Sequence, residues 1–382
     1  ASKDFEVLQV VSQVLYNGKA GLIDLDLNQQ QKVLNSYGYP MGLADYSAFI
    51  LGGLPKQGQT LEEVKDLLLN EIKKLRAGEF DEKMLQANIN NFKLYELQSM
   101  ESNEGRADIF VNSFINGTNW EDEVTAIDRM AKLTKEDIVA FADKYLKEDN
   151  YAVVYKKQGK DPNEKKMTKP EITPIVSNRD VASPFLTSIQ ENAVKPIEPV
   201  FLDFKKDMSQ LTAKSDIPVL YKQNTTNDLF QLIYVFDMGN NNDKALGTAF
   251  DYLEYLGTSD MTPEELKSEF YRLACTFYVS PGNERTYVVL SGLNENMPAA
   301  MQLFEKLLAD AQVNKEAYDN LVGDILKARA DAKLNQGQNF SRLMNYAMYG
   351  PKSPATNLLT EAELASMNPQ ELVDRIHNQN NY

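Results

Sequence analysis

The sequence predicts an α+β chain: two homologous, layered α/β sandwiches joined by a proline-rich linker. Three observations carry this reading. A strand-to-helix order of elements occurs twice, a proline-dense stretch separates the two occurrences, and capped amphipathic helices stand in corresponding places. The implied boundaries are 1–155 for the first repeat, 156–200 for the linker and 201–382 for the second repeat.

In the first flank, "YSAFILGGL" (46–54) has strand-like apolar content and ends in Gly-Leu. "TLEEVKDLLLNEIKKL" (60–75) follows, with Val64, Leu68, Ile72 and Leu75 on one helical face. The second flank matches it with "RTYVVLSGL" (285–293) and then "PAAMQLFEKLLADA", whose Leu303, Leu307 and Ala311 mark the corresponding face. Long helices come next in both, then "FING" (114–117) against "AMYG" (347–350). "LTKEDIVAFADKYL" (133–146), with Thr134 as N-cap and Asp137 at N3, is echoed by "MNPQELVDRI" (367–376) with Asn368 as cap. Between the flanks, residues 156–200 hold six of the fifteen prolines and the lysine-rich "KKQGKDPNEKK". Proline fixes φ and removes an amide donor, so this stretch reads as extended, with "SPFLTSIQ" apolar enough to pack against a neighbour.

The two occurrences are not complete copies. "NYAVVYKKQ" (150–158) reads as a strand closing the first repeat, whereas the second reaches only "NQNNY" where that strand should begin. The second opens with two strand-like runs, "IPVLYKQ" (217–223) and "FQLIYVFDMG" (230–239). The first instead starts directly on a helix, "DFEVLQVVSQVLYNG". The expectation is an excerpt whose ends cut through both repeats, leaving sheet gaps for further polypeptide or a neighbouring copy to fill.

Composition narrows the chemistry. The chain has 382 residues, 43% hydrophobic and 25% charged, with a net charge of −15. A duplex-binding surface needs clustered Lys and Arg, so nucleic acid is not an expected partner. No apolar run approaches the roughly 18 residues of a membrane span. "ASKDFEVLQVV" has neither a basic leader region nor a cleavage pattern. There is one histidine, His377, and one cysteine, Cys275. Histidine-dependent nucleophilic catalysis would have to run through His377, close to the chain end, where a plain surface role is expected. Cys275 reads as a small buried hydrophobe. "DMGNNND" (237–243) is oxygen-rich but places Asn242 and Thr248 where a calcium loop needs Gly and Glu, so a strand-to-helix turn is expected. No phosphate-binding glycine loop occurs: neither "LGGL" nor "GKAGL" precedes a helix with Lys in the required place.

One stretch has the outline of a zinc-protease helix without its ligands: "GTAFDYLEYLGT" (247–258), read as an amphipathic helix closed by a glycine. The order strand, "FQLIYVFDMG", acidic turn, helix, Gly-Thr, helix, strand resembles the pitrilysin/insulinase zinc metallopeptidases, the inverzincins with an H-x-x-E-H helix. "LTKEDIVAFADKYLKEDNYAVVY" resembles the family's end-of-repeat pattern, and "TPEELKSEFYRLACTFYVS" its helix and edge strand after Gly-Thr. "KPEITPIVSNRDVASPF" resembles the segment joining the halves of long, four-repeat bacterial members, and "ASKDFEVLQVVSQVLYNGKAGLIDLDL" the start of a non-catalytic repeat. By this resemblance the chain corresponds to the second repeat, linker and third repeat of such a member, with the pitrilysin-like fold in both repeats.

The resemblance places the five motif positions on Thr248, Ala249, Phe250, Asp251 and Tyr252, and the third metal ligand near Ala328. Thr stands for the first His, Asp for the Glu base and Tyr for the second His. Two histidines at i and i+4 face one metal from successive turns, and the Glu between them activates bound water. Thr248, Tyr252 and Ala328 offer zinc nothing at neutral pH, and Asp251 alone cannot hold it. No catalytic or metal residue is therefore expected in this chain; zinc would belong to a catalytic repeat elsewhere in the parent polypeptide. The strand "TFYVS" (276–280) carries the one substrate-binding expectation, at Thr276, Phe277, Tyr278 and Val279, where a peptide would add to a sheet edge. Core packing is the competing reading of Phe277 and Val279.

The resemblance implies a non-catalytic, chamber-forming and peptide-binding part of a zinc endopeptidase. Its partners would be the catalytic half of the same polypeptide and the peptide substrate. An acidic chamber wall would favour basic or unfolded peptides. Two alternatives stay open: an inactive subunit or scaffold protein with no zinc site anywhere in the parent, and a cryptic hydrolase within the chain. The resemblance alone favours a periplasmic or cell-envelope location.

Overall fold

The computed structural model describes residues 3–43, 45–160, 165, 167–175, 177–353 and 355–378. The chain divides into a larger unit, Ala1–Ala152 with Asn224–Tyr382, and a smaller one, Val153–Gln223. Helices and small antiparallel sheets make it α+β.

Helix α1 (Lys3–Leu15) carries Val10, Val11, Val14 and Leu15 into an apolar core at the spacing of one helical face. A π-helical turn, Asp24–Gln29, leads to the hairpin β1 (Asn35–Gly42) and β2 (Ser47–Leu54), in which Asn35 pairs with Leu54 and Gly42 with Ser47. Helix α2 (Leu61–Arg76) begins at Thr60, which closes a capping box with Glu63. Such a cap stabilises a helix by about 1 kcal/mol. The face Val64, Leu68, Ile72 and Leu75 is buried, as its spacing predicts. A side chain at Gly53 would come within 2.4 Å of Val64 Cγ1, which explains one of the two Gly-Leu pairs. Helices α3 (Lys83–Ser99), α4 (Asn103–Asn116), α5 (Trp120–Val124), α6 (Ala126–Met130) and α7 (Lys135–Tyr145) complete this stretch. Thr134 and Asp137 form the predicted capping box of α7.

The run 150–158, predicted as a strand, joins no ladder and is exposed throughout. β-branched and aromatic content makes a strand only where a neighbouring edge offers backbone partners, and no described strand lies beside it. In the smaller unit, helix α8 (Pro184–Gln190) buries none of its residues, and β3 (Ser209–Thr212) pairs with β4 (Pro218–Tyr221) as a separate hairpin. "SPFLTSIQ" forms this short helix, Pro184–Gln190, capped by Ser183. Parts of the lysine-rich 156–166 and of "NQNNY" lie outside the described residues.

The C-terminal stretch is built on a three-stranded antiparallel sheet in the order β5–β7–β6. Its strands are β5 (Leu229–Phe236), β6 (Cys275–Pro281) and β7 (Thr286–Leu293). Helices α9 (Leu246–Leu253) and α10 (Pro263–Arg272) connect β5 to β6. After β7 come α11 (Met297–Asp310), α12 (Lys315–Ala332), α13 (Gln336–Tyr349), α14 (Glu361–Ser366) and α15 (Pro369–His377). Strand alternation puts Leu232, Tyr234 and Phe236 of β5 on the core side and leaves Ile233 and Val235 exposed. Gly292 sits at φ +156° beside Ala274, whose carbonyl oxygen would lie 2.4 Å from any Cβ added there. Apolar burial in the larger unit collects in two main clusters, one within 7–146 and one within 230–376.

Polar side chains tie these two stretches together. Tyr271 of α10, fully buried against Ala20 and Ala87, donates its hydroxyl to Asn88 Oδ1 at 2.8 Å. Its backbone carbonyl accepts from Asn91 Nδ2 at 2.8 Å. Gln29 and Gln31 donate to the carbonyls of Glu254 (3.1 Å) and Ala317 (3.2 Å).

Candidate functional site

The turn before α9 is organised by its own side chains. Asn240 Oδ1 accepts from Gly247 N at 3.1 Å while its amide donates to the Pro281 carbonyl at 2.9 Å. Asn242 Oδ1 accepts from Gly239 N at 3.2 Å, and Asp243 Oδ1 from Ala245 N at 2.9 Å. The oxygen-rich "DMGNNND" is thus a strand-to-helix turn whose oxygens serve the backbone and, at Asp237 and Asp243, pair with Arg285 and Arg375.

Helix α9 ends at Leu253, before the glycine expected to close it. Gly257 acts in the next loop instead: a Cβ there would lie 2.4 Å from the Met261 carbonyl, and Thr258 N donates to that same oxygen at 2.9 Å. Close approach of backbone to backbone, rather than a helix stop, is what requires glycine here.

Thr248 is half-buried, and Ala249 and Phe250 belong to the core. Tyr252 is fully buried. Its hydroxyl donates to the Asn314 carbonyl at 2.6 Å and accepts from Asn314 N at 2.8 Å. Asn314 is the N-cap of α12, so the phenol fixes where that helix starts. The Tyr252 ring meets Tyr318 edge-on, 5.8 Å between centroids, and burial raises the phenol pKa further. Asp251 is open to solvent on one side, yet desolvation by the surrounding protein and the charge of Glu254 raise its carboxyl above the usual range. Ala328, on α12, is exposed and has no donor atom.

These residues do not fit zinc. One position is a hydroxyl, one a phenol committed to backbone, one a methyl group, and a single carboxylate cannot hold the ion. Among the described residues no group of three or more His, Cys, Asp or Glu side chains could hold a metal ion. His377 is exposed at the end of α15, and Cys275 is fully buried, where desolvation pushes its thiol up to about 11.

Strand β6 pairs only with β7, through Cys275–Gly292 to Pro281–Thr286, so its other edge has no strand partner among the described residues. Along it, Tyr278 is exposed, and Thr276, Phe277 and Val279 are half-buried. Phe277 packs against Phe270 and Phe304, with centroids 5.0 and 4.7 Å away, and Val279 leans on the same core. Those two side chains are core contributors, so any contact the edge makes with a peptide would run through its backbone and Tyr278. Near the end of α9, an open groove of about 520 Å³ is lined by Thr258, Ser259, Asp260, Gln312 and Lys315 among others. Its acids are already engaged, Asp260 by Lys306 (2.6 Å) and Glu265 by the Thr262 amide (2.8 Å).

In comparisons by sequence, no family model and no curated protein matches the chain. Among solved structures it is similar to the periplasmic protease PqqL from Escherichia coli, at 13% identity and a TM-score of 0.40 over 98% of this chain. It is similar to a mutant of the ferredoxin protease FusC in complex with Arabidopsis ferredoxin, at 11% identity and a TM-score of 0.42 over 98%. A peptidase M16 inactive domain from Pseudomonas fluorescens matches 45% of the chain at 15% identity and a TM-score of 0.39. The chain spans 43% of the length of each of these three.

Proposed function

We propose that this chain is a non-catalytic, chamber-forming and peptide-binding part of a zinc-dependent endopeptidase of the pitrilysin/insulinase type. The observation that carries the reading is Tyr252: at the second ligand position of a zinc-type helix, its hydroxyl is buried and bonded to both backbone groups of Asn314. In this reading α9 keeps the place of a metal helix and serves packing, while peptide hydrolysis is carried out by a catalytic repeat elsewhere in the parent polypeptide. The open edge of β6 would take an extended peptide by strand addition, with backbone hydrogen bonds supplying affinity. The two-repeat layout with a linker at 156–200 belongs to this proposal.

The test is the coding sequence upstream of Ala1. An H-x-x-E-H motif followed roughly 76 residues later by Glu supports the enzyme reading. A parent without that motif would instead be an inactive subunit or scaffold of the same architecture.

A further inference from the structure

Helix α4 is amphipathic the wrong way round. Ala107, Phe110, Val111, Phe114 and Ile115 recur at i, i+3, i+4, i+7 and i+8, the stripe a surface helix normally turns to the core. Here Phe114 is 88% exposed and Ile115 64%, while the side toward the protein is Gly105, Ile109 and Ser113. Ser113 is the only buried residue of the helix. Trp120 extends the stripe by stacking on Phe110, with centroids 4.5 Å apart. The pattern is not confined to one helix. In α13, Phe340, Leu343, Met344, Ala347 and Met348 repeat the same spacing before the corresponding glycine, and α13 buries no residue.

Charge decides what fits the α4 stripe. Glu104 and Asp108 flank it on the helix, and Glu121 and Asp122 follow Trp120 in α5. Two cations lie nearby, fewer than the acids. Arg106 is turned onto the Met100 carbonyl and the Asn103 side chain, and Arg129 is held chiefly by Glu6 and reaches Asp122 at 3.9 Å, which leaves Glu104, Asp108 and Glu121 without a cation partner in an ion pair among the described residues. A second copy would bring the same acids against these in a molecule of net charge −15.

We infer that the α4–α5 corner is a docking surface for a basic amphipathic helix of another polypeptide. Its apolar side would cover Phe110, Phe114 and Trp120, and its lysines or arginines would meet the acidic rim. The inference stands apart from the peptidase reading, since it uses neither α9 nor β6.

Trp120 is the chain's single tryptophan, so its emission reports this corner directly. The full chain is titrated with a synthetic helical peptide bearing Leu at i, i+3, i+4 and i+7 and Lys on the flanks. The expected result is a saturable blue shift that weakens at about 0.5 M salt. Binding should fall at least about tenfold in Phe114→Ser/Ile115→Ser and in Asp108→Asn/Glu121→Gln, exposed changes that leave the circular dichroism unchanged. Three results would overturn the inference: no shift at millimolar peptide, equal binding of a peptide with Glu in place of Lys, or undiminished binding by both variants. A dimer in sedimentation that Phe114→Ser/Ile115→Ser dissolves would also overturn it, in favour of a second copy as occupant.

Discussion

At the residue scale, Tyr252 shows what helix α9 does in this structure. Its hydroxyl satisfies a backbone N–H and a backbone carbonyl at the start of α12. Tyr252→Phe removes both bonds and leaves the Asn314 groups without that partner in a part-buried place. A loss of about 1–3 kcal/mol is expected in urea unfolding. Asp24 makes a second residue-scale prediction. Its buried Oδ2 accepts from the amides of Asn17 (2.8 Å), Gly18 (3.1 Å) and Gly21 (3.0 Å), yet desolvation outweighs these bonds and raises the carboxyl to about 6. With a folded pKa above the unfolded value, its contribution is fully present below pH 4 and is lost as pH rises through 6. Stability measured from pH 4 to 7 should therefore shift in favour of Asp24→Asn relative to the parent chain, by up to about 3 kcal/mol. A pH-independent difference between the two proteins would show that Asp24 does not titrate this way. Neither residue's role was legible in the sequence. The partner of Tyr252 lies 62 residues away, and nothing local in "NGKAGLID" says that its aspartate is buried.

At the scale of elements, local chemistry was the legible part. The caps at Thr134 and Asn368 stand where their side chains predict, because a cap is settled within four residues. Thr134→Ala should cost about 1 kcal/mol in thermal or urea unfolding. What local pattern cannot supply is a neighbour. The run 150–158 has strand composition and no edge to join, whereas β1, with two glycines and a proline, is a strand because β2 lies beside it. Periodicity likewise marks the stripe on α4 but not the direction it faces. The edge of β6 belongs to this scale too. If a peptide adds to it as a strand, methylating alternate backbone nitrogens of that peptide should weaken binding at least about tenfold, since the ladder loses its donors. Equal affinity for the methylated peptide would mean that side chains, not the backbone, hold it.

For the whole molecule, the consequential feature is the polar joint between the two stretches of the larger unit. Tyr271, Asn88, Asn91, Gln29 and Gln31 are buried there. The joint was invisible in the sequence because its bonds join residues 180 or more positions apart, with no motif to mark them. Burying them together makes the two apolar cores interdependent, so the larger unit should unfold in one transition. Tyr271→Ala removes the buried ring and its bond to Asn88 but keeps the Gln29, Gln31 and Asn91 bonds to backbone carbonyls, so calorimetry should show a single transition at lower temperature. Helix α9 and its neighbours offer zinc no more than one carboxylate, so no zinc chemistry is expected of this chain. The most direct measurement incubates the purified 382-residue chain with an unstructured peptide and added zinc, following peptide mass and bound metal together. The expected result is intact peptide and far less than one zinc per chain. Cleavage that a chelator abolishes would contradict that expectation.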